Sequence, residues 1–170
     1  FTENAGDTDI LKDVTVGYKW KDGKVVSISD DTNEDNNVVT FKDKNLEKAV
    51  RDTISKPTGN IYKNDVNKIT QLNAGYKGIR DISGIESLTS LRNLDLCENQ
   101  ISDISALKDL TNLGCLDLEN NKISDISALK NLVDLYCIDL FGNEISDISP
   151  LKNLVHCYSL HLGKDEIVDL

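Results

Sequence analysis

From Ile69 onward the chain repeats itself every 22 residues, with copies opening at Ile69, Leu91, Leu113, Leu135 and Cys157. The clearest are LRNLDLCENQISDISALKDLTN, LGCLDLENNKISDISALKNLVD and LYCIDLFGNEISDISPLKNLVH. A unit this short cannot enclose a core of its own. Stacked copies can, because each covers the apolar flank of its neighbour, so the period dictates a solenoid. Such a stack offers an extended surface, which points to gripping a partner.

Within each copy the spacing of apolar residues changes. In the second copy Leu94 and Leu96 are two apart, the period of a strand, whereas Ile101, Ile104, Leu107 and Leu110 are three apart, which suits 3₁₀-like or irregular turns. The spacing therefore predicts one short strand and an irregular return path per coil. Asn99, Asn121 and Asn143 share one frame position. A polar side chain stacked among aliphatics must satisfy its hydrogen bonds there, so these amides are expected to form a ladder on backbone groups where strand bends into return path. Lys77 and Asp165 replace asparagine in the end copies. Asp81, Asp103, Asp125, Asp147 and Asp169 share another position, next to serines. They read either as a cation-binding row or as a solvated edge of local caps; the second is preferred, since nothing converges on one point as a calcium site requires.

The pattern L-x-x-L-x-L-x-x-N-x-I-S-D-I-S-x-L-x-x-L, over residues 69–170, resembles the leucine-rich repeats of the internalin family of bacterial surface proteins. Upstream, FKDKNLEKAVRDTISKP and IYKNDVNKITQLNAGYKGIRDISGIESL look like that family's helical cap and degenerate first repeat. The resemblance implies an α/β solenoid, a right-handed horseshoe with a parallel sheet on its concave face, a 3₁₀ or irregular convex side and an N-terminal helical cap. It also implies non-enzymatic recognition of a host or cell-surface protein by the concave face, at an extracellular or cell-surface location. The same repeat class occurs in an intracellular phosphatase regulator, so a cytoplasmic scaffold of that kind is the alternative.

Side chains that alternate with the core leucines point to the concave side. They place Asn73, Asp95, Asp117, Asp139 and His161 in one row down the middle. Like charges on strands about 4.8 Å apart repel, so a basic complement is expected, although aspartate could simply be tolerated there. Tyr136, Phe141 and Tyr158 flank the row as candidate hot spots. The contact surface is therefore assigned to Asp95, Asp117, Asp139, Tyr136, Phe141, Tyr158 and His161.

The cysteines, Cys97, Cys115, Cys137 and Cys157, follow the repeat and form no C-x-x-C pair. Cys157 takes a core position and is expected to be buried; the other three are expected on the exposed concave face. Cys115 and Cys137 fall at the same position of adjacent strands, within disulfide range but awkwardly parallel. With Asp139 and His161 they form a conceivable zinc set, or a Cys-His nucleophile pair. A flat open sheet offers neither a pocket nor water exclusion, so free thiols, no catalytic residue and no cofactor are the reading adopted. Unpaired thiols in a secreted protein would suit a reducing habitat.

The net charge of −10 argues against unaided binding to nucleic acid or anionic membrane. No apolar run approaches the ~18 residues needed to span a bilayer. A chain that begins at Phe1 and lacks methionine reads as a processed form or fragment. Residues 1–40 form an extension: alternation around Asp22-Gly23 predicts a β-hairpin, and Asp30–Asn37 a polar linker. Residues 41–68 form the cap, with Asp43 as N-cap, Leu46, Ala49, Val50 and Ile54 on one helical face, and a second short turn over Ile61–Val66. Residues 69–170 hold about five coils, the last incomplete. Its Leu160, Leu162, Ile167 and Leu170 would flank an open edge, to be covered by further chain or by self-association.

Overall fold

The structure, a computed structural model, describes residues 17–21, 24–28 and 37–163. The chain divides into two compact units, Phe1–Asn36 and Asn37–Leu170. In the first, β1 (Gly17–Lys21) and β2 (Lys24–Ile28) pair as an antiparallel hairpin with Lys21 opposite Lys24. Asp22-Gly23 and the Asp30–Asn37 run, apart from Asn37 itself, lie outside the described residues.

The second unit begins with a two-stranded ribbon. Here β3 (Val38–Val39) runs antiparallel to β4 (Ile61–Tyr62). Two expectations shift. Val38 and Val39, which composition alone assigns to the extension, join the repeat unit, and Ile61 and Tyr62 are strand, leaving only α2 (Lys63–Val66) helical. A pairing 22 to 24 residues away in sequence decides both, and no local pattern reports it.

Between the two strands lies α1 (Lys44–Ile54), whose Leu46, Ala49 and Val50 are buried in the same core as the repeat leucines. Asp43 starts it: Oδ1 accepts the Asn45 N–H at 2.8 Å, and Oδ2 accepts the Arg80 N–H at 2.8 Å. One carboxylate thus caps the helix and fastens it to the first coil.

Five three-residue strands follow, β5 (Gln71–Asn73), β6 (Asn93–Asp95), β7 (Cys115–Asp117), β8 (Cys137–Asp139) and β9 (Ser159–His161). They form one parallel sheet in chain order, each residue opposite the one 22 later. The return paths carry 3₁₀ turns at Ile85–Ser87, Ser105–Leu107, Ser127–Asn131 and Ser149–Asn153. Asp81, Asp103, Asp125 and Asp147 each accept the N–H of the serine two residues on, at 2.7–2.8 Å, in the approach to these turns. Asp169 is outside the described residues.

The core is a set of stacked rows. Leu72, Leu94, Leu116 and Ile138 are buried in register, and Ile79, Ile101, Ile123 and Ile145 form a second buried row. Each such side chain is worth about 1.5–3 kcal/mol of burial, and only the stacking supplies it. Burial fades in the last described coil: Leu160, next in the first row, is 42% exposed.

The asparagines run through this core as a continuous polar seam. Asn99 Nδ2 donates to the carbonyls of Ala74 and Leu96, and Asn121 Nδ2 to those of Leu96 and Leu118. Asn143 Nδ2 donates to those of Leu118 and Leu140. Successive amides therefore share a carbonyl. Each Oδ1 accepts a buried N–H from the preceding coil: Ile79, Ile101 and Ile123 respectively.

Candidate functional site

The parallel register lines up Asn73, Asp95, Asp117, Asp139 and His161 across the open face of the sheet. The aspartates have a local reason to be there. Oδ1 of Asp95, Asp117 and Asp139 accepts the N–H of Cys97, Glu119 and Phe141 respectively, each at 3.0 Å. Those N–H groups come free where the strand leaves the ladder, and a short carboxylate side chain satisfies them.

The second carboxylate oxygen distinguishes the three. Asp139 Oδ2 lies 2.8 Å from His161 Nδ1, so the end of the row is internally paired. No ion pair among the described residues engages Asp95 or Asp117. Oxygens of these two carboxylates lie within 4.8 Å of each other, a separation at which their repulsion is about 1–3 kcal/mol at effective dielectrics between that of water and about 20. Burial, followed by the charges of Asp95 and Asp139, pushes the Asp117 carboxyl above its ordinary value despite the Glu119 N–H.

Tyr136 and Tyr158 sit at the strand entry and stack, with ring centroids 5.5 Å apart and planes 11° from parallel. Tyr158 is 79% exposed. Tyr136 lies over the backbone of Gly114, where a side chain would meet its ring at 2.5 Å. Gly114 holds the same frame position, and reading down that column exposes the seat. Phe141 lies beyond the opposite end of the strands, half-buried and leaning over Gly163. The structure thus joins the two tyrosines and separates Phe141 from them by the acidic row.

Tyr136 also walls a trough of about 390 Å³ that runs over β5 to β7, with Asn73, Asn93, Asp95, Cys115 and Asp117 on its floor. A second depression, of about 380 Å³, also touches Tyr136 and lies between Arg92, Asp134 and His156.

All four cysteines are free thiols. Two expectations about them fail. Cys97 turns its sulfur to the same side as Asp95 and Asp117 but is buried, not exposed, because Gly75 in the preceding coil has no side chain and the sulfur occupies that space. Cys157 is only half-buried, because it belongs to the last described coil. Burial, then the neighbouring Asp95, pushes the Cys97 thiol up to about 12. Burial, then a hydrogen bond with Cys137, pushes Cys115 up to about 11. Neither is a ready nucleophile. Among the described residues the side chains that gather within metal-ligand reach are Asp95, Cys97 and Asp117, not the set Cys115, Cys137, Asp139 and His161.

A family model for leucine-rich repeats matches residues 67–109, 89–131 and 111–153. Among solved structures, an internalin (inlF) from Listeria monocytogenes aligns with a TM-score of 0.74 and 41% identity over 76% of this chain. This chain spans 39% of that protein. Internalin C2 from the same organism aligns with a TM-score of 0.65 and 29% identity, over 76% of this chain and 68% of its own. Comparison with curated proteins gave no match.

Proposed function

We propose that this chain, which belongs to the leucine-rich repeat family and has internalin-like coils, is a bacterial surface or secreted recognition module that holds a basic protein segment on its open sheet face. The observation that carries this reading is the pair of in-register carboxylates, Asp95 and Asp117, which no ion pair among the described residues neutralises, beside the exposed Tyr136–Tyr158 stack. Carboxylates forced together gain when a cation arrives, and exposed aromatic rings supply contact area at low entropic cost. Asp139, His161 and Phe141 complete the contact surface. A non-enzymatic role fits the open sheet and the raised thiols. Among the described residues no helix is long and apolar enough to cross a membrane.

Selection of random peptides from phage on the immobilised chain tests this. Enriched peptides should carry net positive charge. They should lose binding to the Asp117→Lys/Asp139→Lys variant and keep it on Lys130→Glu/Lys152→Glu, which alters the 3₁₀ side. Peptides that bind both variants alike would refute the choice of face. Exposed Leu160 and Val155 favour a second reading, self-association through the last coil. Sedimentation velocity that shows a monomer across concentrations would remove it.

A further inference from the structure

We infer that the trough beside Tyr136 is an arginine subsite, in which one guanidinium of the partner lies against the Tyr136 ring and bridges Asp95 and Asp117. The inference rests on the sheet face being the docking surface and specifies its anchor. Three observations converge on it. The trough, about 390 Å³, is large enough for one long side chain and is not large enough for a folded element. Its two carboxylates present oxygens within 4.8 Å of each other, a span that a planar fork bridges with N–H···O bonds of about 2.8 Å. Its wall is the Tyr136 ring, seated on Gly114 and backed by Tyr158.

The amides of Asn73 and Asn93 on the floor can accept the remaining guanidinium N–H groups. A lysine ammonium is a point charge and cannot bridge two carboxylates while stacking on a ring, so arginine is the favoured occupant. Burial, with the charges of Asp95 and Asp139, raises the Asp117 carboxyl, and a cation seated here would offset both. The other end of the row does not offer this chemistry, because His161 already engages Asp139.

The test is NMR titration of the ¹⁵N-labelled full chain with N-acetyl-arginine methylamide, in low salt. Saturable shifts are expected at the amides around Asp95, Asp117 and Tyr136. Asp117→Asn, which keeps the oxygen that holds the Glu119 N–H, should weaken binding about tenfold. Tyr136→Ala should weaken it about threefold to fivefold. Asp103→Asn, on the turn edge, should change nothing. N-acetyl-lysine methylamide should bind more weakly than the arginine probe. Absence of saturable shifts, shifts centred on Glu98 and Glu119, or equal binding of lysine and arginine probes would overturn the subsite. If phage-selected peptides still lose binding to Asp117→Lys/Asp139→Lys in that case, the sheet face stands and only the arginine anchor falls.

Discussion

Replacing Asn99 by alanine should cost more stability than the same change at Asn121, although both side chains are buried and hold the same place in the frame. The reason is the way successive amides share carbonyls. Without Asn121, the Leu96 carbonyl keeps the Asn99 amide and the Leu118 carbonyl keeps the Asn143 amide. The Glu119 carbonyl keeps the Glu98 N–H. One buried group, the Ile101 N–H, loses its acceptor. Without Asn99, the Ile79 N–H loses its acceptor in the same way, as does the part-buried Lys77 N–H, and the Ala74 carbonyl also loses its donor, because Lys77 stands where a preceding asparagine would be. An unsatisfied buried group costs about 1–3 kcal/mol, so Asn121→Ala should lose about 1–3 kcal/mol and Asn99→Ala roughly twice that. Urea unfolding followed by circular dichroism gives the totals. Amide hydrogen exchange gives the local check, with Ile79 exchanging faster only in Asn99→Ala and Ile101 only in Asn121→Ala. Equal losses, or a larger loss at Asn121, would refute the shared-carbonyl account.

Four further outcomes are expected. Gly142→Ala should lower stability by about 1–2 kcal/mol, since φ is 72° and the new methyl would meet Asn120 Oδ1; adding Asn120→Gly should recover part of the loss in a thermal melt. Asp43 should make the fold acid-sensitive: burial acts to raise its carboxyl, but the N–H groups of Arg80, Asn45, Leu46 and Asp81 together hold it below the usual range. Its stabilisation is therefore present above about pH 4 and is lost as pH falls through the depressed folded value, and Asp43→Asn should flatten that part of a Tm-against-pH curve. Asp117 has the opposite sign: its carboxyl is raised, so stability it confers in acid is lost as pH rises through that raised value. Asp117→Asn should accordingly raise Tm at pH 7 and lose the advantage below about pH 4. Finally, Cys97 and Cys115 should resist iodoacetamide at pH 8 in the folded chain and react on unfolding, as mass spectrometry would show.

What the sequence made legible is what repeats. The strand at Leu94 and its equivalents at Leu72, Leu116, Ile138 and Leu160 are written five times and the tripled spacing of the return path four times in full, and stacking leaves them one arrangement. What it hid lies between coils and outside the frame. Cys97 is buried because Gly75, 22 residues earlier, is bare. Tyr136 has its seat because Gly114 is bare in the same way, and Val38 is a strand residue because Tyr62 pairs with it. Each depends on the identity of one particular neighbour, which a periodic frame averages away. The acidic row was legible as a row, but its local purpose was not, because a carboxylate accepting an N–H two residues on leaves no periodic trace.

That local purpose changes how the row should be probed. In Asp117 one oxygen holds the Glu119 N–H at the strand end, and the other is the one that the proposed partner would meet. The two roles respond differently to substitution. Asparagine keeps an acceptor for the N–H and removes the charge; alanine removes both. Asp117→Ala should therefore gain from the relief of repulsion and lose about 1 kcal/mol from the missing hydrogen bond, ending below Asp117→Asn in stability at pH 7. Both should lose the arginine probe equally. Hydrogen exchange at the Glu119 amide distinguishes them, since it should quicken in the alanine variant alone. If alanine proved as stable as asparagine and left that amide protected, the aspartates would owe nothing to the strand end, and a partner alone would account for the row.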